Sequence, residues 1–223
     1  MSRKRLFSIL SVLLVLSMFF AACSPQQPAA TEQPDETAAE PAQDEQVLRL
    51  SLFQEPNTLD WQRVTANIEL YTLSWVMDGL TRYKHGKIIP ALAEKWDISD
   101  DGKVYTFHLR DAKWTDGQPV KADDFKYGWL RALDPADPMD YAYFLYDIVG
   151  AQEFNSNKGK AEDVAIKVID DKTLEVTLKR PVTYFDYLVS FATYYPTRKD
   201  IVEKYGTKFN AEAENFVTCG PFK

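Results

Sequence analysis

The sequence is poor in the residues that build metal and redox centres. Among 223 residues there are two cysteines and two histidines, too few for a zinc framework or a disulfide-dense scaffold. It has no Gly-rich phosphate loop, and no Ser/His or Cys/His pair has a spacing that suggests catalysis. Positive charge is short as well. The chain has 26 Lys and Arg against 33 Asp and Glu, a net charge of −7. That balance argues against nucleic acid, whose phosphates need a clustered basic surface. Internal repeats are absent. Hydrophobic residues make up 45% and aromatics 13% of the chain, enough to bury a core.

The first 46 residues read as processing signals, not as fold. Ser2-Arg3-Lys4-Arg5 is a basic opening, followed from Leu6 to Ala22 by 17 residues that are apolar apart from Ser8, Ser11 and Ser17. This is shorter than the ~20 residues that cross a bilayer, so residues 1–22 are expected to be a signal peptide. Phe20-Ala21-Ala22-Cys23 resembles a bacterial lipobox, in which the cysteine is diacylated and becomes the mature N-terminus. Phe20 stands where the usual pattern has leucine. The alternative is an ordinary secretory signal with an incidental cysteine. Residues 23–46 follow as a tether. Its six acids (Glu32, Asp35, Glu36, Glu40, Asp44 and Glu45) are accompanied by no Lys or Arg, and its Pro, Gln and Ala content cannot offset ordering entropy. A coil of this length spans roughly 25–30 Å, suited to holding a domain off a membrane.

Residues 47–223 remain, with 23 basic and 27 acidic side chains. Cys219 is the only cysteine here, so no disulfide forms within this part. Alternation over 47–53 predicts a strand. Ile68, Tyr71, Trp75, Val76 and Leu80 fall at helical spacing, with Asn67 as the N-cap. Three hairpins are expected: around Lys84-His85-Gly86, around Asp100-Asp101-Gly102 between 96–98 and 104–109, and around Asp170-Asp171-Lys172 between 164–169 and 173–179. A helix begins at Ala122-Asp123-Asp124, with acids in its first turn, and stops at Asp134-Pro135. Helices are also expected over 141–157, 184–191 and 199–205. Hairpins with interspersed helices make an α+β domain. The chain closes on Phe216-Val-Thr-Cys-Gly-Pro-Phe-Lys223, a turn and the first residues of a strand, so the sequence is expected to be truncated.

One series of motifs runs along this part in order: Ala91-Leu-Ala-Glu-Lys-Trp96, Ser99-Asp-Asp-Gly102, Tyr105-Thr-Phe-His-Leu-Arg110, Lys113-Trp114, Asp116-Gly-Gln-Pro119 and Ala122-Asp-Asp-Phe125. Before it stand Glu55-Pro56, Leu59-Asp60 and Gly79-Leu80. After it come Leu133-Asp134-Pro135, Val168 to Leu178 and Gly220-Pro221-Phe222. The series resembles the bacterial extracellular solute-binding proteins of family 5, the oligopeptide- and dipeptide-binding components of ABC importers. The motifs themselves are structural: Asp-Gly turns, with Trp96, Phe107 and Trp114 as core and Arg110 expected to pair with Asp111 or Asp116.

The resemblance implies a two-lobed periplasmic-binding-protein-like fold (type II, family 5), hinged around a ligand, with an extra domain inserted in the first lobe. Residues 47–76 would begin the first lobe, 77–215 would form the inserted domain, and 216–223 would return to the first lobe. The second lobe would be absent from this chain, and with it most groups that pair with a peptide's termini.

The resemblance also places a ligand-facing segment at Thr65-Ala66-Asn67, to which an extended peptide adds through main-chain hydrogen bonds. Close relatives carry an acid, a glycine and an aliphatic there, so an acidic side-chain contact is lost. Asn67 can serve as helix cap, ligand contact or both. Tyr141 matches a tyrosine that packs on the ligand, and Tyr143 takes the role if the register slips. Both can equally pack the domain's own core. Cys219 is either a small buried residue or the partner of a downstream cysteine. His85 and His108 read as structural, and the Asp100-Asp101, Asp123-Asp124 and Asp170-Asp171 pairs as turn and helix-start acids.

The function implied is a lipid-anchored, monomeric substrate-binding protein that is not an enzyme. It would capture oligopeptides outside the cytoplasmic membrane and deliver them to an ABC permease, without cofactor or metal. It would sit on the outer face of that membrane, or in the periplasm or at the outer membrane where one exists. The alternative keeps the scaffold and changes the solute to a dipeptide, nickel, heme, an opine, a sugar or a signalling peptide. A surface enzyme or adhesion domain on a lipid tether is the competing class.

Overall fold

A computed structural model describes Val47 and residues 49–222. The chain divides into two units, Met1–Arg49 and Leu50–Lys223. Nearly all of the first lies outside the described residues, including the expected signal peptide, Cys23 and the tether. The second carries all the regular structure described.

The first helix, α1 (Asn67–Val76), has its cap one residue earlier than expected. Ala66 is the N-cap, in an extended conformation (φ −96°, ψ 145°). Alanine has no acceptor to offer the helix's free amides. Glu69, three residues into the helix, reaches back instead. Its Oε2 accepts from the Thr65 and Ala66 amides, both at 3.1 Å. The expected apolar stripe is not the inner face: Glu69 and Leu73 are buried while Tyr71 is exposed. Leu80 lies beyond the helix, buried in the turn into the first strand.

Strands β1 (Thr81–Lys84) and β2 (Lys87–Pro90) form a two-stranded antiparallel sheet. The turn joins them through His85 (φ 50°) and Gly86 (φ 80°). Two successive left-handed residues match the twist of a tight hairpin. A second, antiparallel sheet has the order β3-β4-β6-β5, from β3 (Ala93–Ile98), β4 (Val104–Leu109), β5 (Ile166–Asp170) and β6 (Thr173–Thr177). In β4 the buried residues alternate as Tyr105, Phe107 and Leu109, and in β6 as Leu174 and Val176. That period of two turns one face of the sheet toward the core.

Helix α2 (Ala122–Ala132) ends just before Asp134-Pro135, as expected. A chain of aromatic rings links the sheet to it. Tyr105 meets Phe185 at 5.0 Å, Phe185 meets Tyr194 at 6.0 Å, and Tyr194 meets Trp129 of α2 at 5.0 Å. Phe185 is delivered by a single turn, α4 (Phe185–Leu188), shorter than expected. Each fully buried aromatic here contributes about 1.5–3 kcal/mol. Helix α5 (Lys199–Tyr205) stands as expected.

Two expected elements are not formed. No single helix spans 141–157. A 3-10 helix covers Ala142–Asp147, Ile148 then bridges to Leu178, and a short α3 (Ala151–Asn155) follows. Gly150 makes the break at φ 79°, where a Cβ would lie 2.3 Å from the Asp163 carbonyl oxygen. The expected strand over 47–53 is also missing. Leu48 lies outside the described residues, and Leu50, Leu52 and Phe53 are exposed with no described strand beside them. Alternation alone makes no strand when no neighbour takes up its amides. Two motif residues differ as well. Phe107 and Trp114 are core while Trp96 is half-buried, and Arg110 donates to the Ala91 and Asp111 carbonyls instead of an acid.

Residues 216–222 run back to the end of α1. The Gly220 amide donates to the Val76 carbonyl at 2.8 Å and the Phe222 amide to the Trp75 carbonyl at 3.1 Å. A Cβ on residue 220 would lie 2.4 Å from the Val76 carbonyl carbon and 2.5 Å from the Met77 nitrogen, so only glycine fits. Next to it, Cys219 is a buried free thiol, pushed up to about 12 by burial. Such a thiol is a poor nucleophile. Iodoacetamide at mildly alkaline pH should leave Cys219 unmodified in the folded chain and alkylate it in urea, as read by peptide mass.

Candidate functional site

The loop 57–66 is built first by its own turn. The Asp60 amide donates to Thr58 Oγ1 at 3.0 Å, and the Asp60 carbonyl accepts from the Arg63 and Val64 amides at 2.8 and 3.1 Å. α2 then holds the loop from below. Arg131 Nη1 and Nη2 donate to the two oxygens of Asp60 at 2.9 and 2.5 Å, and Nη1 also to Gln62 Oε1 at 2.6 Å. Gln62 Nε2 donates to the Gly128 carbonyl at 2.6 Å. Trp61 is buried against Phe209 and donates from Nε1 to Thr197 Oγ1 at 2.9 Å. Arg63 extends the set outward through an ion pair with Asp137. Asp60 is only 2% exposed, and a charge so buried is tolerated because Arg131, Arg63 and the Gln62 amide all face its carboxylate.

Beyond this anchor the chain surfaces. Thr65 and Asn67 are exposed and Ala66 is half-buried. Tyr141 comes from the other side of the molecule's sequence to meet them: its hydroxyl donates to the Thr65 carbonyl at 3.4 Å. Its ring packs on Phe144 at 5.3 Å and on Phe191 at 5.7 Å. Tyr143 lies edge-on to it at 6.0 Å and points to solvent, 52% exposed. The structure therefore brings all four expected positions, Thr65, Ala66, Asn67 and Tyr141, onto one exposed patch. On the other flank of Asn67 a cleft of about 620 Å³ opens between Leu52, Phe53, Ile68 and Tyr71.

Main-chain geometry decides what this patch can offer. Ala66 is extended, so its own amide and carbonyl point one way, while the Thr65 carbonyl and the Asn67 amide point the other. The inward pair is used, with the amide on Glu69 and the carbonyl accepting from the Leu70 amide at 3.2 Å. The outward pair consists of one acceptor and one donor. Among the described residues the Asn67 amide has no partner, as expected of a first-turn helical amide.

Elsewhere the ionisable groups hold turns and helix starts. Asp101 accepts from Ser99 Oγ at 2.6 Å, which draws its carboxyl below the usual range. Asp124 accepts from Trp114 Nε1 at 3.0 Å and from the Lys121 amide at 2.9 Å, while burial pushes its carboxyl up. His108 bonds to Asp97 at 2.8 Å across the β3–β4 pair. Among the described residues no group of three His, Cys, Asp or Glu side chains could hold a metal, and no helix is long and apolar enough to cross a membrane. Sequence reasoning missed Glu69 and the Asp60–Arg131 pair. Glu69 sits three residues after the true cap, which was a usable signal. The Asp60–Arg131 pair joins positions far apart in sequence, and no periodicity reveals it.

A solved substrate-binding domain of an oligopeptide ABC transporter from Bacillus anthracis str. Ames shares this antiparallel α+β architecture, with a TM-score of 0.73 at 39% identity over 75% of this chain and 33% of that one. The sequence profile of the bacterial extracellular solute-binding proteins, family 5 Middle, matches residues 87–223, and the chain belongs to this family. Among curated relatives, the dipeptide-binding protein DppE of Bacillus subtilis (strain 168) is 40% identical over 99% of this chain and 41% of its own length. The oligopeptide-binding protein OppA of the same organism is 36% identical over 99% of this chain and 40% of its own length. A solved structure of Listeria monocytogenes OppA bound to peptide superposes with a TM-score of 0.71 at 36% identity, covering 73% of this chain and 33% of that one. The chain thus spans about two-fifths of the length of the curated relatives it matches. Its fold is that part of the family 5 fold.

Proposed function

We propose that this chain forms part of the substrate-binding component of an ABC importer, and that its exposed patch takes oligopeptides. The observation that carries the proposal is the meeting of Tyr141 with the Thr65 carbonyl, 3.4 Å apart across 76 positions of sequence. A donor–acceptor pair of the main chain, flanked by a tyrosine face, suits an extended peptide. Main-chain bonds ignore ligand side chains and give broad tolerance, while the tyrosine adds contact area at low rotamer cost. In this reading residues 47–76 and 216–223 belong to the first lobe and 77–215 to an inserted domain. A second lobe, hinged to the first, closes over the ligand and couples affinity to the hinge equilibrium. Diacylated Cys23 anchors the mature, monomeric protein at the outer face of the cytoplasmic membrane, and a permease receives the peptide. Support comes from the peptide-binding relatives and from the composition of residues 1–46.

Titration calorimetry of the mature protein with a library of tri- to pentapeptides tests this. Binding heat is expected, and Tyr141→Ala should weaken the tightest peptide about tenfold, with Tyr141→Phe falling between. A library that gives no heat overturns the proposal.

A further inference from the structure

The carboxylate of Glu69 is among the most enclosed charges in the chain, with the residue 2% exposed. Among the described residues no lysine, arginine or histidine forms an ion pair with it. Three main-chain amides balance it instead. Oε1 accepts from Asn57 at 3.2 Å, and Oε2 accepts from both Thr65 and Ala66 at 3.1 Å. Its place in the first turn of α1 adds the favourable end of the helix dipole.

We infer that Glu69 is a positioning residue for peptide capture, fixing the outward Thr65 carbonyl by holding the Ala66 amide of the same peptide plane and the Thr65 amide beside it. The inference rests on the peptide-capture reading above. Two of the three bonds land on the residues that form the patch, and the third closes the loop at Asn57. One acidic side chain therefore sets the direction of the Thr65 carbonyl that meets Tyr141. Glutamine in its place keeps the shape but presents an NH₂ group to amides that are themselves donors. Its single oxygen can keep either the Asn57 amide or the Thr65 and Ala66 amides, and in either case as an uncharged, weaker acceptor, so the hold on residues 65–66 loosens. The fixed carbonyl also has a consequence for ligands. A peptide residue must supply its own N–H to the Thr65 carbonyl, so methylating that nitrogen removes the bond.

The test uses the mature protein, with tetraalanine and its singly N-methylated forms as probes, and amide hydrogen exchange as a readout independent of ligand. Glu69→Gln should speed exchange at Thr65 and Ala66 at least about tenfold while β4 amides keep their rates. It should weaken tetraalanine about tenfold and flatten the difference between tetraalanine and its methylated forms. Glu69→Asp retains the charge with a shorter reach and should fall between. Faster exchange with unchanged affinity and unchanged discrimination overturns the positioning role and leaves peptide capture standing. Wild-type protein that takes up none of these peptides, nor any of the library above, overturns the capture reading itself.

Discussion

Arg131→Leu should destabilise the fold by about 3–5 kcal/mol, because it strands a buried carboxylate. The side chains of Arg131 and Asp60 are 10% and 4% exposed, so water cannot replace the lost donors. Three hydrogen bonds disappear at once, two to Asp60 and one to Gln62. Arg63 Nε lies 3.3 Å from the same carboxylate but is itself drawn outward by Asp137, and is a partial substitute only. Urea unfolding at fixed pH measures the loss. A cost under about 1 kcal/mol would mean that Arg63 compensates in full, as in an exposed pair. The double variant Asp60→Leu, Arg131→Leu should recover much of the loss, since removing both charges also removes the burial penalty. Arg131 also shapes the patch: with the anchor gone, the loop that leads into Thr65 keeps the Gln62–Gly128 bond to α2 but loses its charged hold on that helix.

Trp129→Ala should cost a similar amount, about 3–5 kcal/mol, by a different route. Trp129 is fully buried on α2, at the end of the ring chain that begins in the sheet. Its Nε1 donates to the Tyr194 carbonyl at 2.7 Å. Truncation leaves a cavity between helix and sheet and an orphaned carbonyl within it. For a folded unit of this size the expected fall in Tm is roughly 6–20 °C. Trp129→Phe separates the two effects, since it refills most of the volume but restores no donor. It should cost about 1–3 kcal/mol. Equal losses for the two variants would show that the hydrogen bond, not the packing, dominates.

What the sequence made legible was local. The hairpins at 84–86, 100–102 and 170–172 carry their geometry in their own residues, as His85, Gly86 and Gly102 confirm with positive φ. α2 announced both its acidic start and its Asp-Pro stop. Errors came where local signals compete with distant ones. The apolar pattern of α1 pointed to Tyr71 and Trp75, but a charged residue holds the inner face because three amides await it there. The tyrosine-rich run after 140 looks helical until Ile148 is drawn to Leu178. Residues 47–53 carry a strand's alternation without a described strand to bond to. Of the site, Thr65, Ala66, Asn67 and Tyr141 were reached through resemblance, and their meeting in space was not readable from spacing. Of the groups that hold them in place, Glu69 had a local signal in its position three residues after the cap, while the Asp60–Arg131 pair shows only in three dimensions.

The bond between the Gly220 amide and the Val76 carbonyl brings two distant points of the chain together. The stretch of chain between those two residues departs from and returns to a single point. Closing so long a loop at its base costs little more entropy than closing a short one, because the cost grows only with the logarithm of length. Gly220 lets the two segments of this junction touch. Any larger residue there would force the returning chain away from the end of α1, so this one position acts as the clasp of the long loop.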